Sequence, residues 1–218
     1  MIGICEEMCP SDESDFRLKN NMISPFELND KSQISKKNMI KEYLRSSFQQ
    51  DSLPKNIRTL SALNKSFLQL KLIWRKNGED SNQLKSLYDF VFDRLRAINQ
   101  DLLKIEEFSD KLEIAKIYEN ITDFEIFIET QILLFLSEEE YRENHKKIQV
   151  SLQKLINIYE KMTDNETKII LGTNNFKYVL GYALIIYEDV YLMQSFSKKI
   201  SNENSEEVRN KRKLIYLL

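Results

Sequence analysis

The sequence is poor in the residues that make tight turns. Its 218 residues hold Gly 4 and Pro 3, about 3% together where average usage gives about 12%. A sandwich of short strands and a Rossmann-type sheet with glycine-rich loops are both excluded, and long helices are expected. Histidine occurs once and cysteine twice. Any Ser/His/Asp or Cys/His arrangement would have to use His145. That residue sits in Glu143-Asn144-His145-Lys146-Lys147, which reads as solvated helix surface. Gly3, Gly78, Gly172 and Gly181 are scattered, so no phosphate-cradling loop exists and nucleotide hydrolysis is excluded. A structural zinc site needs four Cys or His ligands, more than the chain supplies. Cys5-x3-Cys9 therefore reads as two small side chains packed in the interior. The pair Asp89 and Asp93 and the run Glu138-Glu139-Glu140 read as helix-surface charge, since no lone acid stands inside an apolar stretch. No catalytic residue, cofactor or metal is expected.

Long apolar runs are also lacking. The longest, Gln131 to Leu136 and Tyr178 to Tyr187, fall short of the roughly 18 residues a membrane helix needs. The first seven residues carry two acids and no base, unlike a secretory signal. Two cysteines four apart do not make a disulfide framework and suit a reducing compartment. Excess charge of one sign is absent, with Lys+Arg 32 against Asp+Glu 34 and a net charge of −2. That argues against an autonomous polyanion binder, which needs clustered Lys and Arg.

What is present is a globular balance, 42% hydrophobic and 30% charged, and strong helical periodicity. Residues 1–35 differ from the rest: they hold both cysteines, Pro10 and Pro25, and read as an extended arm with one short helix. Pro10 fits a first helical turn, and Glu13 and Arg17 are spaced as an i,i+4 ion pair. Residues 36–218 read as successive helices over 36–48, 57–76, 81–106, 109–136, 138–162, 175–199 and 206–218. In the third of these Leu84, Leu87, Tyr88, Val91, Phe92, Leu95, Ile98 and Leu102 form one stripe. Phe90 and Ala97 lie opposite, so that helix should have neighbours on two faces. The expected fold is all-α, with antiparallel hairpins stacked into a superhelix.

Charged residues flank that stripe, with Asp89, Asp93 and Arg96 on one side and Arg94 and Asp101 on the other. They read either as rims of ion pairs that set helix packing, or as Arg94 and Arg96 presented to a protein or RNA partner. Arg209-Asn210-Lys211-Arg212-Lys213 reads either as an ordinary helix end or as a nuclear-import or phosphate-contacting patch.

Four segments, in order, resemble one family. Gly3-Ile4-Cys5-Glu6-Glu7-Met8-Cys9-Pro10, followed by Glu13 and Arg17, is similar to the opening signature of the GANP scaffold family, which includes the suppressor-of-actin scaffold. Lys41-Glu42-Tyr43-Leu44-Arg45-Ser46 resembles its second block, and Leu53-Pro54-x3-Arg58 its third. The fourth and most diagnostic block is matched by Tyr88-Asp89-Phe90-Val91-Phe92-Asp93-Arg94-Leu95-Arg96-Ala97-Ile98-Asn99-Gln100-Asp101-Leu102. The resemblance implies a non-enzymatic scaffold with a PCI/TPR-like superhelix, acting in the nuclear-pore-associated TREX-two mRNA export complex. It implies two partners, a second PCI-domain subunit and a small acidic protein, with RNA reached through the assembled complex. A nuclear location at the pore or nuclear envelope goes with it. Short relatives act instead at the centrosome and spindle or in splicing-linked PCI complexes, and a direct RNA-binding module is a further alternative. No strand-and-turn pattern precedes Leu218, so the family's winged helix is expected to be missing. Asp123-Phe124-Glu125 stands where the family's fourth helix tends to carry Arg and His, so no basic contact is expected there.

Overall fold

Four long helices and one short one carry the fold in a computed structural model, which describes residues 2–29, 33–44, 53–132 and 135–163. The short helix α1 spans Ser11–Lys19, followed by α2 over Leu60–Asn77, α3 over Leu84–Ile105, α4 over Lys111–Ile132 and α5 over Glu138–Glu160. Among the described residues there is no β-strand, only two isolated bridges, Cys5 with Arg58 and Leu28 with Ile34. The protein is all-α, as its turn-poor composition requires. The helices expected over 175–199 and 206–218 lie outside the described residues.

Local sequence explains the starts of three of the helices. Thr59 caps α2, its hydroxyl accepting from the Ala62 amide at 3.2 Å. Ser137 and Glu140 form a capping box at the start of α5, in which each side chain satisfies an amide the helix leaves open. Pro10 stands at the N-cap of α1 with Asp12 and Glu13 in the first turn, where the helix dipole favours acids.

The helices stack in sequence order, α2 on α3, both on α4, and α4 on α5. Connections of a few residues require neighbours to reverse direction. The contacts agree: Glu119 near the start of α4 meets Tyr159 near the end of α5, and Glu129 near the end of α4 faces His145 near the start of α5. An aromatic knot joins α2 to α4, where the Phe124 ring meets Phe67 and Trp74 edge-on at 5.7 and 6.4 Å.

The stripe of α3 is buried along its whole length, Leu87, Val91, Leu95, Ile98 and Leu102 being fully inaccessible. Phe90 and Ala97 on its other side are buried too. The second neighbour is not another helix, however. It is the chain of residues 24–29 and 39–44, whose Phe26 ring lies 5.3 Å from Phe90.

The helix expected over 36–48 is not formed in its described part. Lys36–Asn38 makes a single 3₁₀ turn, and residues 39–44 run extended. The reason lies in where the amides go. Ile40 N donates to Glu27 Oε1 at 2.9 Å and Lys41 N to the Met8 carbonyl at 3.0 Å. Glu42 N donates to Glu13 Oε1 at 2.8 Å and Tyr43 N to Asp93 Oδ2 at 3.1 Å. Four successive amides thus reach four acceptors distant in sequence, and none is left for an i→i−4 ladder.

Candidate functional site: a buried charge network beneath the arm

The segments 3–17, 41–43, 54–58 and 88–101 come together in space. The chain end is fixed first. Ile4 N donates to the Pro54 carbonyl at 3.1 Å, Cys5 N to the Ile57 carbonyl at 3.0 Å, and Thr59 N to the Cys5 carbonyl at 2.9 Å. Gly3 is needed for this approach, because a Cβ there would lie 2.7 Å from the carbonyl oxygens of both Ile57 and Arg58. Leu53 stays partly exposed at the start of the Pro54 turn. Both cysteine thiols are free and buried. Burial raises the pKa of each, and the Glu13 carboxylate raises that of Cys9 further.

Two buried clusters of charge lie beneath. In the first, Asp101 is fully buried and takes both Lys41 Nζ at 3.0 Å and Arg58 Nε at 2.8 Å. Lys41 also donates to the Asn56 carbonyl at 2.8 Å, and Arg58 to the Met8 carbonyl and Ser66 Oγ. One α3 carboxylate thereby holds two chain segments, each through a buried cation.

The second cluster centres on Arg17 and Arg94. Arg17 donates to Glu27, to the Met22 carbonyl and to the Ile40 carbonyl, and lies 3.3 Å from Glu42 and 3.7 Å from Glu13. Burial alone would lower its pKa, but Glu27 and Glu42 hold it above the ordinary arginine value. Burial raises the pKa of Glu13, against the Glu42 amide and Arg17, which both favour its charge. Arg94 reaches Glu42 at 2.7 Å and Asp93 at 2.7 Å, and its guanidinium covers the Phe90 ring at 4.6 Å.

The rims expected to set helix packing therefore tie α3 to the arm and the extended chain. Asp93 pairs with its neighbour Arg94 and the Tyr43 amide. Arg96 is exposed and lies over the Tyr43 ring at 4.0 Å, a cation–π contact. Arg94 is 5% exposed and enclosed by its partners, whereas Arg96 remains open to solvent. Asp89 stays on the surface side of α3, and Ile98 is in the core. Arg45, Arg209, Lys211, Arg212 and Lys213 lie outside the described residues.

Sequence reasoning missed Glu27. It is 1% exposed and accepts from Arg17, Ser24 N and Ile40 N. The available signal was Ser24-Pro25-Phe26-Glu27, a capping-box spacing with proline at the first position.

A second buried polar seam also went unread. On α4, Glu119, Glu125 and Glu129 are buried against α5, which corrects the expectation that no lone acid stands inside an apolar stretch. Glu119 accepts from the Tyr159 hydroxyl at 2.7 Å. Burial pushes the Glu125 carboxyl up to about 7, with Ser151 and Lys154 opposing. His145 is half-buried and not fully solvated: its Nδ1 lies 3.4 Å from Glu129 Oε1 and its side chain is 26% exposed. Tyr88, part of the α3 stripe, donates its hydroxyl to buried Asn144 of α5 at 2.9 Å.

Among the described residues no group of three or more His, Cys, Asp or Glu could hold a metal ion, and no helix is long and apolar enough to cross a membrane. The described residues form a helical stack whose buried charges clasp distant stretches of its own chain. The chain belongs to the SAC3/GANP family, which it matches over residues 8–212. No curated protein and no solved structure matches it.

Proposed function

We propose that this protein is a non-enzymatic subunit that organises a nuclear mRNA export complex through protein–protein contacts. Membership of a scaffold family linked to mRNA export carries the reading. The network supports it, since the four family-like segments are the ones it brings into contact. In this reading the helices form a PCI/TPR-like superhelix. Its partners are a second PCI-domain subunit and a small acidic protein, and RNA is met through the assembled complex at the nuclear pore. Gly3, Cys5, Cys9, Pro10, Arg17, Lys41, Arg58, Arg94 and Asp101 act structurally, holding the arm in place.

The test is affinity purification of the full chain from its own cells, with mass spectrometry of what stays bound. Recovery of a PCI-domain subunit with a small acidic protein is the expected outcome. Recovery of spindle or splicing components instead would move the task and keep the scaffold. Recovery of no partner at all would overturn the reading.

A further inference from the structure

The outer face of α2 plays no part in the charge network, and its composition is one-sided. The helix carries Lys65, Lys71, Arg75 and Lys76 and neither Asp nor Glu. Its inner face, Leu63, Phe67, Leu70 and Trp74, is buried. Facing outward are Ser61, Asn64, Lys65, Leu68, Lys71, Leu72, Arg75 and Lys76. At about 100° per residue, Leu68 and Leu72 run along the middle of this face. Lys71 and Arg75 lie to one side of them, Lys65 and Lys76 to the other. The two leucines are 51% and 59% exposed. No carboxylate lies within ion-pairing distance of Lys65, Lys71 or Arg75 among the described residues. The adjacent helix α4 offers one acid nearby, Asp123, whose charge is felt by Lys71.

We infer that this face docks an acidic amphipathic helix of a partner protein, one with an apolar ridge flanked by carboxylates on both sides. Two apolar residues at i,i+4 are the anchors by which helices read one another, and flanking charges choose the partner and its orientation. Cations on both flanks call for acids on both flanks. A second copy of α2 is therefore disfavoured, because it would set like charges opposite one another. Nucleic acid is disfavoured by the centre of the face. Phosphates gain nothing from leucine, and bases stack on aromatic rings, which the exposed face of α2 lacks. The cations would also steer an acidic partner to the site in a salt-dependent way.

The inference goes beyond the export reading and does not depend on it, since it concerns one face and a defined chemistry. The test uses the full chain and a fluorescein-labelled synthetic helix with Leu at heptad positions a and d and Glu at e and g. Fluorescence anisotropy should show saturable binding that weakens as salt is raised. Leu68→Ser with Leu72→Ser should weaken it at least tenfold, and so should Lys65→Glu with Arg75→Glu. All four positions are exposed, and circular dichroism of each variant should match the parent. A companion peptide with Lys at e and g should bind the charge-reversed variant and not the parent, so that loss and rescue are read in one system. Absence of binding by the parent overturns the inference. Unchanged binding in the double-serine variant overturns it in favour of diffuse charge attraction, and displacement of the peptide by an oligouridylate at equal concentration does so in favour of a nucleic-acid surface. Failure to recover export partners from cells would leave this titration as it stands.

Discussion

Asp101 shows how much one side chain can hold. It pairs with both Lys41 and Arg58, and all three are buried. Removing one partner of a buried ion pair leaves the other charge uncompensated, at a cost of about 3–5 kcal/mol. Asp101→Asn keeps the shape and loses the charge, so urea unfolding should show a loss of that size. Adding Arg58→Met should recover part of it, because one stranded cation is removed. At Glu125 the sign is different. Its folded pKa of about 7 lies above the ordinary value of 4.5 because the carboxyl is buried. The folded state therefore binds the proton more tightly. The resulting stability is complete below the unfolded value and is lost as pH rises through the folded one, by at most about 3 kcal/mol. A melting temperature followed from about pH 5 to pH 8 should fall, and Glu125→Gln should flatten that fall.

Among the elements, the extended stretch 39–44 depends on acceptors supplied from elsewhere. Glu13→Ala removes the acceptor of the Glu42 amide and one carboxylate beside Arg17. Hydrogen exchange at Glu42 should speed up well before exchange in α3, since openings confined to one segment cost less than global unfolding. The chain end gives a parallel case. Gly3→Ala would drive a Cβ into two carbonyl oxygens, and a backbone contact cannot step aside as a flexible side chain can. The Cys5 amide should lose its protection, and the buried thiols should become accessible to a thiol reagent, while α3 to α5 keep their protection. Helix α3 responds otherwise. Leu95→Ala, at a fully buried position, should lower global stability by about 2–5 kcal/mol.

At the scale of the whole molecule, the sequence determined α2 to α5 and much of the core they share. The shortage of glycine and proline, the 3.6-residue period and the caps are local properties, and the α2, α3, α4 and α5 spans follow from them to within a few residues. The stripe of α3 was legible because every member is apolar, and so was its second buried face. What lay across that face was not legible. Periodicity favoured a helix over 36–48, whereas acceptors at Met8, on α1, on the 3₁₀ turn at Pro25–Glu27 and on α3 drew the amides of 40–43 into extended chain. Glu13 and Arg17 are legible as an i,i+4 pair and lie 3.7 Å apart, but the pairing of Lys41, Arg58, Arg94 and Asp101 spans up to 60 positions and no local pattern encodes it. Buried carboxylates such as Glu27 and Glu125 look in sequence like any surface acid. A charge is bearable in the interior only when its partner or its proton is supplied there, and only the tertiary structure decides that.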